Sequence, residues 1–142
     1  MSKEKPGAAR YVAASIDAIP NIPYEWAPGT EWKPIRRFFG IGSFGTNLFR
    51  APDPGDILTE DHTEDPESGT RHEELYLVVT GAARFKVDDE EFDAPAGTFV
   101  YVPDPKSRRG AVATEPHTAL LAVGGEPGCA FTPSEWDREP LP

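Results

Sequence analysis

Short runs of alternating apolar and polar residues follow one another along most of the chain. Residues 84–87, with the sequence Arg-Phe-Lys-Val, alternate in the way that is typical of a strand with one buried face. Asp88 and Asp89 follow, and aspartate tolerates the positive φ of a tight hairpin turn. Similar runs between Gly, Pro and Asp predict strands at residues 35–39, 44–50, 56–61, 73–80, 84–87, 91–93, 98–102, 109–113 and 118–123. The pattern therefore predicts an all-β domain, an antiparallel sandwich or barrel.

The two ends of the chain differ from this β-rich region. Residues 11–16 are a candidate strand, and the proline-rich stretch 20–34 predicts an extended arm. Trp26 and Trp32 lie in the arm, and burying their rings requires packing over the β-domain or against a second subunit. We therefore predict a tail and arm at residues 1–34, a β-domain at 35–142 and a homodimer formed through the arm.

One short helix is predicted near the end of the sequence. Thr132 is a candidate N-cap, Pro133 suits the first helical position, and Glu135 stands where a capping box needs an acid. Trp136 follows directly and would turn an apolar side chain toward the β-domain. This is the only helix that the sequence predicts.

Charge and composition exclude several classes of function. The 142 residues carry a formal net charge of −10, which would be repelled by nucleic acid and by anionic membranes. Cys129 is the single cysteine, so an internal disulfide and a multi-cysteine metal site are excluded. No apolar run is long enough to span a bilayer, and no secretory signal is visible behind the charged first residues. These features predict a cytoplasmic protein with a small-molecule ligand.

Two motifs resemble those of the cupin family. Glu74, six further residues and Gly81 resemble the end of the first cupin motif. Residues 95–105, with Gly97 before a strand and Pro103 after it, resemble the second, and residues 85–91 resemble the hairpin between them. The resemblance covers about residues 55–124. It implies an antiparallel jelly-roll barrel in which Glu74 points inward and Gly81 turns the chain into the next strand.

The usual cupin metal ligands are almost all replaced. In metal-binding cupins, two histidines precede the glutamate by four and six residues, or by five and seven, and a third follows the Pro-x-Gly turn by three. The matched positions here hold Thr70 and Ser68, or Gly69 and Glu67, and then Arg108. A guanidinium offers no lone pair to a metal. Only Glu74 remains, so we expect no cofactor in the usual geometry.

A displaced metal site is one interpretation of the remaining side chains. His72 stands two residues before Glu74, so both share a face if the strand begins early, and His62 ends the preceding strand near the same mouth. Two imidazoles and a carboxylate are suitable ligands for a divalent metal. Alternatively, His72 is a strand-start residue beside an acid, and His62 is a loop histidine among acids. Glu73 and the acidic run 60–67 are expected at the solvated surface.

Glu74 requires a partner, because an unpaired buried carboxylate carries a desolvation cost. Arg108, at the matched mouth position, is the natural candidate for an ion pair, with Arg109 facing outward by alternation. Alternatively, Arg108 binds an anionic ligand while His72 or Glu74 transfers a proton, and Tyr76 supplies a hydroxyl from the same strand face.

Three functions stay open at this point. The first is a metal-free cupin that binds a small molecule. The second is an isomerase, lyase or cyclase that transfers protons through His72 and Glu74. The third is a metal-dependent enzyme such as a dioxygenase, with His62, His72 and Glu74 as ligands. A fold does not choose among them, since one fold hosts many activities.

Overall fold

Two antiparallel β-sheets face each other in the computed structural model, which describes residues 10–65 and 70–141. One sheet has five strands in the order β1-β2-β9-β4-β7, and the other has four in the order β3-β8-β5-β6. The strands are β1 (Glu31–Lys33), β2 (Gly45–Ala51), β3 (Ile57–His62), β4 (Glu73–Thr80), β5 (Ala82–Val87), β6 (Glu90–Pro95), β7 (Phe99–Val102), β8 (Arg109–Ala113) and β9 (Thr118–Gly125). The predicted all-β jelly roll is thus confirmed, as two facing sheets without a closed ring of strands.

The core lies between the sheets because alternate residues of each strand point inward. On β4, Tyr76 and Val78 are buried whereas Leu75 and Val79 are exposed. Phe85 of β5 is fully buried, and its ring meets the Tyr76 ring edge to face at 5.5 Å. This contact joins the two sheets at the centre of the domain.

Tight turns fix the register of the strands around this core. Asp88 has φ 53°, so the predicted Asp88-Asp89 turn joins β5 to β6 as a two-residue hairpin. Gly81 has φ 74° and separates β4 from β5, as the resemblance predicts. A Cβ atom at Gly81 would lie 2.2 Å from the Thr118 hydroxyl oxygen, so no other residue fits without displacing the chain.

The segment at residues 35–39 is a helix, α1 (Ile35–Phe39), so the prediction of a strand there is wrong. Pro34 precedes the helix, and Gly40 ends it in the left-handed conformation with φ 73°. Proline at the start and glycine just past the end are helix signals that outweigh the apolar pattern of a five-residue run.

The arm is less extended than its sequence suggests. Residues 11–15 form no strand, and Ile16–Ala18 form a 3-10 turn capped by the Ser15 hydroxyl. β1 forms inside the stretch expected to be an arm, because it pairs with β2 and becomes the edge strand of the five-stranded sheet. The predicted tail at residues 1–9 lies outside the described residues.

The C-terminal helix is present as a single 3-10 turn, Glu135–Arg138. It begins later than predicted, with Ser134 in place of Thr132 at the N-cap. Asp137 anchors the turn on α1, because its carboxylate accepts a 2.7 Å hydrogen bond from Arg36 Nε and lies 3.3 Å from Arg37 Nε. Among the described residues, no helix has the length and apolar character needed to cross a bilayer.

Substituting two glycines separates the cost of the backbone conformation from that of the steric clash. Gly97 has φ 90° with open space around it, so Gly97→Ala should lower the free energy of unfolding by about 1–2 kcal/mol. Gly81→Ala adds the overlap with Thr118 and should cost about 2 kcal/mol more. Urea denaturation of both variants measures the difference, and equal losses would contradict the close approach of Gly81 to Thr118.

Candidate functional site

A cavity of about 390 Å³ opens between the sheets at the end where the N-terminal arm and the C-terminal turn meet. Six aromatic side chains line it: Tyr24, Trp26, Trp32, Phe49, Tyr76 and Trp136. Its polar lining includes Asn47, Thr59, Glu60, His62, Glu64 and Glu74. An apolar cavity with a few polar groups brought together is the usual form of a small-molecule site.

The arm supplies much of the aromatic wall. Trp32 of β1 donates a 2.9 Å hydrogen bond from its indole nitrogen to Asn47 Oδ1 of β2, which fixes the ring. Tyr24 packs against Trp32 and Phe49 with ring centroids 5.7 and 5.8 Å apart. Trp136 of the C-terminal turn meets Trp32 at 5.4 Å. Packing of Trp32 over the β-domain agrees with the prediction, whereas Trp26 is 69% exposed, and the homodimer stays a prediction.

Tyr24 also connects the wall to an acid on β3. Its hydroxyl donates a hydrogen bond to a Glu60 carboxylate oxygen, and the Glu60 backbone N–H donates back to the hydroxyl oxygen at 3.2 Å. Burial and the neighbouring Glu60 carboxylate raise the pKa of Tyr24 well above its usual value. Tyr24 therefore stays a neutral hydrogen-bond donor, and the Glu60 carboxylate is fixed at the cavity wall.

Glu74 points into the cavity from β4, as predicted. Its Oε1 accepts hydrogen bonds from the Tyr76 hydroxyl and, at 2.9 Å, from Arg109 Nη1. The Arg109 side chain is completely buried, and its other nitrogens donate to the backbone oxygens of Ser107 at 2.9 Å and Asp104 at 3.0 Å. The buried carboxylate thus has its cationic partner, and the guanidinium has three acceptors.

The partner of Glu74 is Arg109, so the predicted Arg108–Glu74 pair and the outward-facing Arg109 are both wrong. Arg108 is more than half exposed and lies 3.4 Å from Asp61 on the surface. The pleat of β8 explains the exchange. Ala111 and Ala113 are buried in the core, and residues two apart share a face, so Arg109 points inward and Arg108 outward. The proposed contact of Arg108 with a ligand stays a prediction.

His62 forms the opposite side of the polar end, and it reaches the mouth as predicted. Its Nε2 lies 2.9 Å from a Glu64 oxygen, and its Nδ1 lies 2.7 Å from the Glu60 backbone oxygen. Glu64 is only 5% exposed, and its backbone N–H donates to the Pro105 oxygen at 2.8 Å. This backbone contact folds the segment after β3 back over the mouth.

The expectation that the acidic run 60–67 is solvated surface is therefore wrong for two of its members. Both Glu60 and Glu64 line the cavity. Glu60 does so from within β3, and Glu64 because the chain turns inward after β3 instead of continuing into solvent. Glu67 lies outside the described residues. Glu73, as expected, points away from the cavity and accepts a 2.5 Å hydrogen bond from Tyr101 at the surface.

His72 is buried beside the cluster and belongs to a different set of contacts. Its Nε2 lies 2.9 Å from the Thr132 backbone oxygen, and its ring stacks on Phe131 at 5.2 Å. Its Nδ1 is 3.8 Å from a Glu64 oxygen, so it does share the inner face with Glu74. The ligand set of His62, His72 and Glu74 stays a prediction, and the structure adds Glu64, whose carboxylate lies close to His62 and Glu74.

The charges of the polar end act on one another. Burial lowers the pKa of His62, but the hydrogen bond to Glu64 and the charge of Glu74 outweigh it and raise that pKa to about 9. Burial and the charge of Glu64 raise the pKa of Glu74 to about 7, against the opposing effects of His62, Tyr76 and Arg109. At neutral pH, a protonated imidazole thus lies beside a carboxyl group that can gain or lose a proton.

The same cluster contains donors suited to a divalent metal. Ligand atoms of His62, Glu64 and Glu74 all lie within 4.8 Å of one another. Metal bonds to nitrogen and oxygen are about 2.0–2.2 Å long, so two atoms on one ion can be about 4.4 Å apart at most. The donor chemistry therefore fits, after a small contraction of the cluster and loss of the His62 proton.

Comparison with known proteins identifies the fold. A cupin protein from Bacteroides fragilis superposes with a TM-score of 0.62 at 12% identity, over 94% of this chain and 98% of its own. A sugar phosphate isomerase of the cupin superfamily from Silicibacter pomeroyi gives a TM-score of 0.60 at 17% identity, over 92% and 97%. KdgF from Halomonas sp. gives a TM-score of 0.56 at 22% identity, over 68% and 80%. No protein-family model and no curated protein matches the sequence. The chain has the cupin fold.

Two neighbouring arginines provide a matched test of the buried ion pair. Arg109→Met leaves Glu74 without its cation and should lower the free energy of unfolding by about 3–5 kcal/mol. Arg108→Met removes only an exposed pair and should change it by about 0.5 kcal/mol or less. Chemical denaturation of both variants measures this, and a larger loss for Arg108→Met would contradict the assignment.

Proposed function

We propose that the protein binds a small, largely apolar molecule in the cavity between its sheets. The observation that carries this proposal is the combination of about 390 Å³ of space, a wall of six aromatic side chains and a polar end at His62, Glu64 and Glu74. Aromatic rings offer large contact areas, and the polar groups orient one end of the ligand. The cupin fold alone is compatible with binding and with catalysis.

Proton transfer is the chemistry that the polar end supports if the ligand is a substrate. The pKa of His62 is raised to about 9 and that of Glu74 to about 7, so at neutral pH His62 holds its proton while Glu74 can gain or lose one. Tyr76 holds one Glu74 oxygen, so the carboxyl group has a fixed orientation. An isomerase-type or lyase-type reaction would use these groups, with Glu74 as the base and His62 as the acid.

Tryptophan fluorescence tests binding directly, because the three tryptophans of the chain, Trp26, Trp32 and Trp136, all line the cavity. A panel of small aromatic amines, alcohols and carboxylates should include compounds that change the emission. Ala122 lines the cavity, so Ala122→Leu should weaken each response about tenfold by filling space.

Ala96→Leu is the matched control, since Ala96 is exposed in the turn between β6 and β7. It should leave every response unchanged. Binding that is equally strong in the Ala122→Leu and wild-type proteins would place the ligand outside the cavity and contradict the proposal.

A metal-dependent enzyme is the second candidate, favoured by the three donors within 4.8 Å. His62, Glu64 and Glu74 would hold the ion, and a divalent ion would supply Lewis-acid chemistry at the end of the cavity. Arg109 would fix the orientation of Glu74 through its hydrogen bond to Oε1. This bond leaves the other carboxylate oxygen for the ion.

Titration with Ni²⁺ in a calorimeter distinguishes this candidate from the metal-free one. His62→Ala and Glu64→Gln should each lower a genuine affinity at least tenfold, since each removes one ligand. His117→Ala, in the exposed turn before β9, should have no effect. Loss of Ni²⁺ binding in His72→Gln, with full binding in Glu64→Gln, would identify His72 instead of Glu64 as a ligand. Absence of Ni²⁺ binding in the wild-type protein would contradict the metal-dependent function.

A further inference from the structure

The charges around the cavity are not balanced within it. Glu74 is paired with Arg109 at 2.9 Å, and Glu64 is paired with the His62 imidazole at 2.9 Å. Each of these two carboxylates therefore has a basic side chain at hydrogen-bond distance. Two further carboxylates line the cavity: Glu25 is exposed to solvent, whereas Glu60 is half-buried and has a neutral partner, the Tyr24 hydroxyl.

Over residues 10–65 and 70–141, no Lys, Arg or His side chain forms a salt bridge with the Glu60 carboxylate. The Tyr24 hydroxyl donates one hydrogen bond, whereas a carboxylate can accept about four. A partly buried carboxylate is stabilised most by a cation at hydrogen-bond distance. Among the described residues, a basic side chain lies at that distance from Glu64 and from Glu74 but not from Glu60.

The rings beside Glu60 are also suited to a cation. Tyr24 carries the hydrogen bond to Glu60, and its ring packs against Trp32 and Phe49 with centroids 5.7 and 5.8 Å away. Aromatic faces attract ammonium groups within about 6 Å, and the attraction grows when the site is shielded from water. The same rings would contact the apolar part of the molecule.

We propose that the ligand of the cavity is an organic amine whose ammonium group pairs with the Glu60 carboxylate while its apolar part lies against the Tyr24, Trp32 and Phe49 rings. This inference rests on the proposed small-molecule function and names its ligand class. An anionic ligand would instead meet Glu60, Glu64 and Glu74. Arg108, the cation that predicted an anionic ligand, pairs with Asp61 on the surface and does not line the cavity.

Three probes of similar shape separate charge from apolar contact: 2-phenylethylamine, 2-phenylethanol and phenylacetate, titrated calorimetrically at pH 7 and low salt. We expect the amine to bind at least tenfold more tightly than the alcohol, with phenylacetate weakest, because a charge-assisted hydrogen bond contributes about one to two powers of ten in affinity. Glu60→Gln should remove this preference, so that amine and alcohol bind with similar affinity, since glutamine carries no charge but keeps an acceptor for Tyr24.

Glu73→Gln is the matched control, because it removes an equal charge from the surface hydrogen bond with Tyr101 outside the cavity. It should preserve the preference for the amine, which excludes a general effect of net charge. An amine preference that survives in Glu60→Gln, or equal binding of amine and alcohol, would overturn the inference.

Failure of the inference differs from failure of the proposed function. Tight binding of the alcohol or of phenylacetate, weakened by Ala122→Leu, would overturn the amine and keep the cavity as the binding site. Binding of none of the three probes would also overturn the amine, and the fluorescence panel with Ala122→Leu would then decide the proposed function. Amine binding that Ala122→Leu does not weaken would contradict both.

Discussion

The buried pair of Arg109 and Glu74 is the interaction on which the candidate site depends. A guanidinium with no solvent exposure is tolerated only when its donors are satisfied, and Arg109 has the Glu74 carboxylate and the backbone oxygens of Ser107 and Asp104. These contacts tie β8 to β4, in opposite sheets, and to the loop before β8. Removing either charge would leave the other buried without a partner. The pair therefore holds the polar end of the cavity in one arrangement.

The rest of the polar end follows from this arrangement. Glu74 is held by Arg109, and its charge acts on His62. Glu64 contacts the Nε2 atom of the same imidazole. Of the lining carboxylates that are at least half-buried, Glu60 alone has only a tyrosine hydroxyl as its side-chain partner among the described residues. The charge distribution, more than the fold, therefore suggests which class of ligand the cavity would bind.

The N-terminal arm and the C-terminal turn each contribute aromatic side chains to the cavity wall, and each is fixed by a few specific contacts. Trp32 is held by Asn47 in the neighbouring strand, and Trp136 is carried by a turn that Asp137 anchors on α1. His72 bonds the same C-terminal segment through the Thr132 oxygen. His72, a candidate metal ligand because it stands two residues before Glu74, thus contacts the C-terminal segment that carries Trp136.

The sequence by itself determined strands β2 to β9 and the hairpin at Asp88-Asp89, because these depend on local alternation and turn chemistry. Its resemblance to the cupin motifs implied the inward direction of Glu74. The same alternation, counted back from Ala111 and Ala113, also places Arg109 inward. The sequence also contains the start and stop signals of α1, Pro34 and Gly40. Only the tertiary structure decided that Glu64 is buried and that His72 turns to the C-terminal segment. Both outcomes depend on contacts between residues far apart along the chain, 41 positions for the backbone bond from Glu64 to Pro105 and 60 for His72 with Thr132. Local patterns carry no information about such contacts, since they arise only when separate elements pack together.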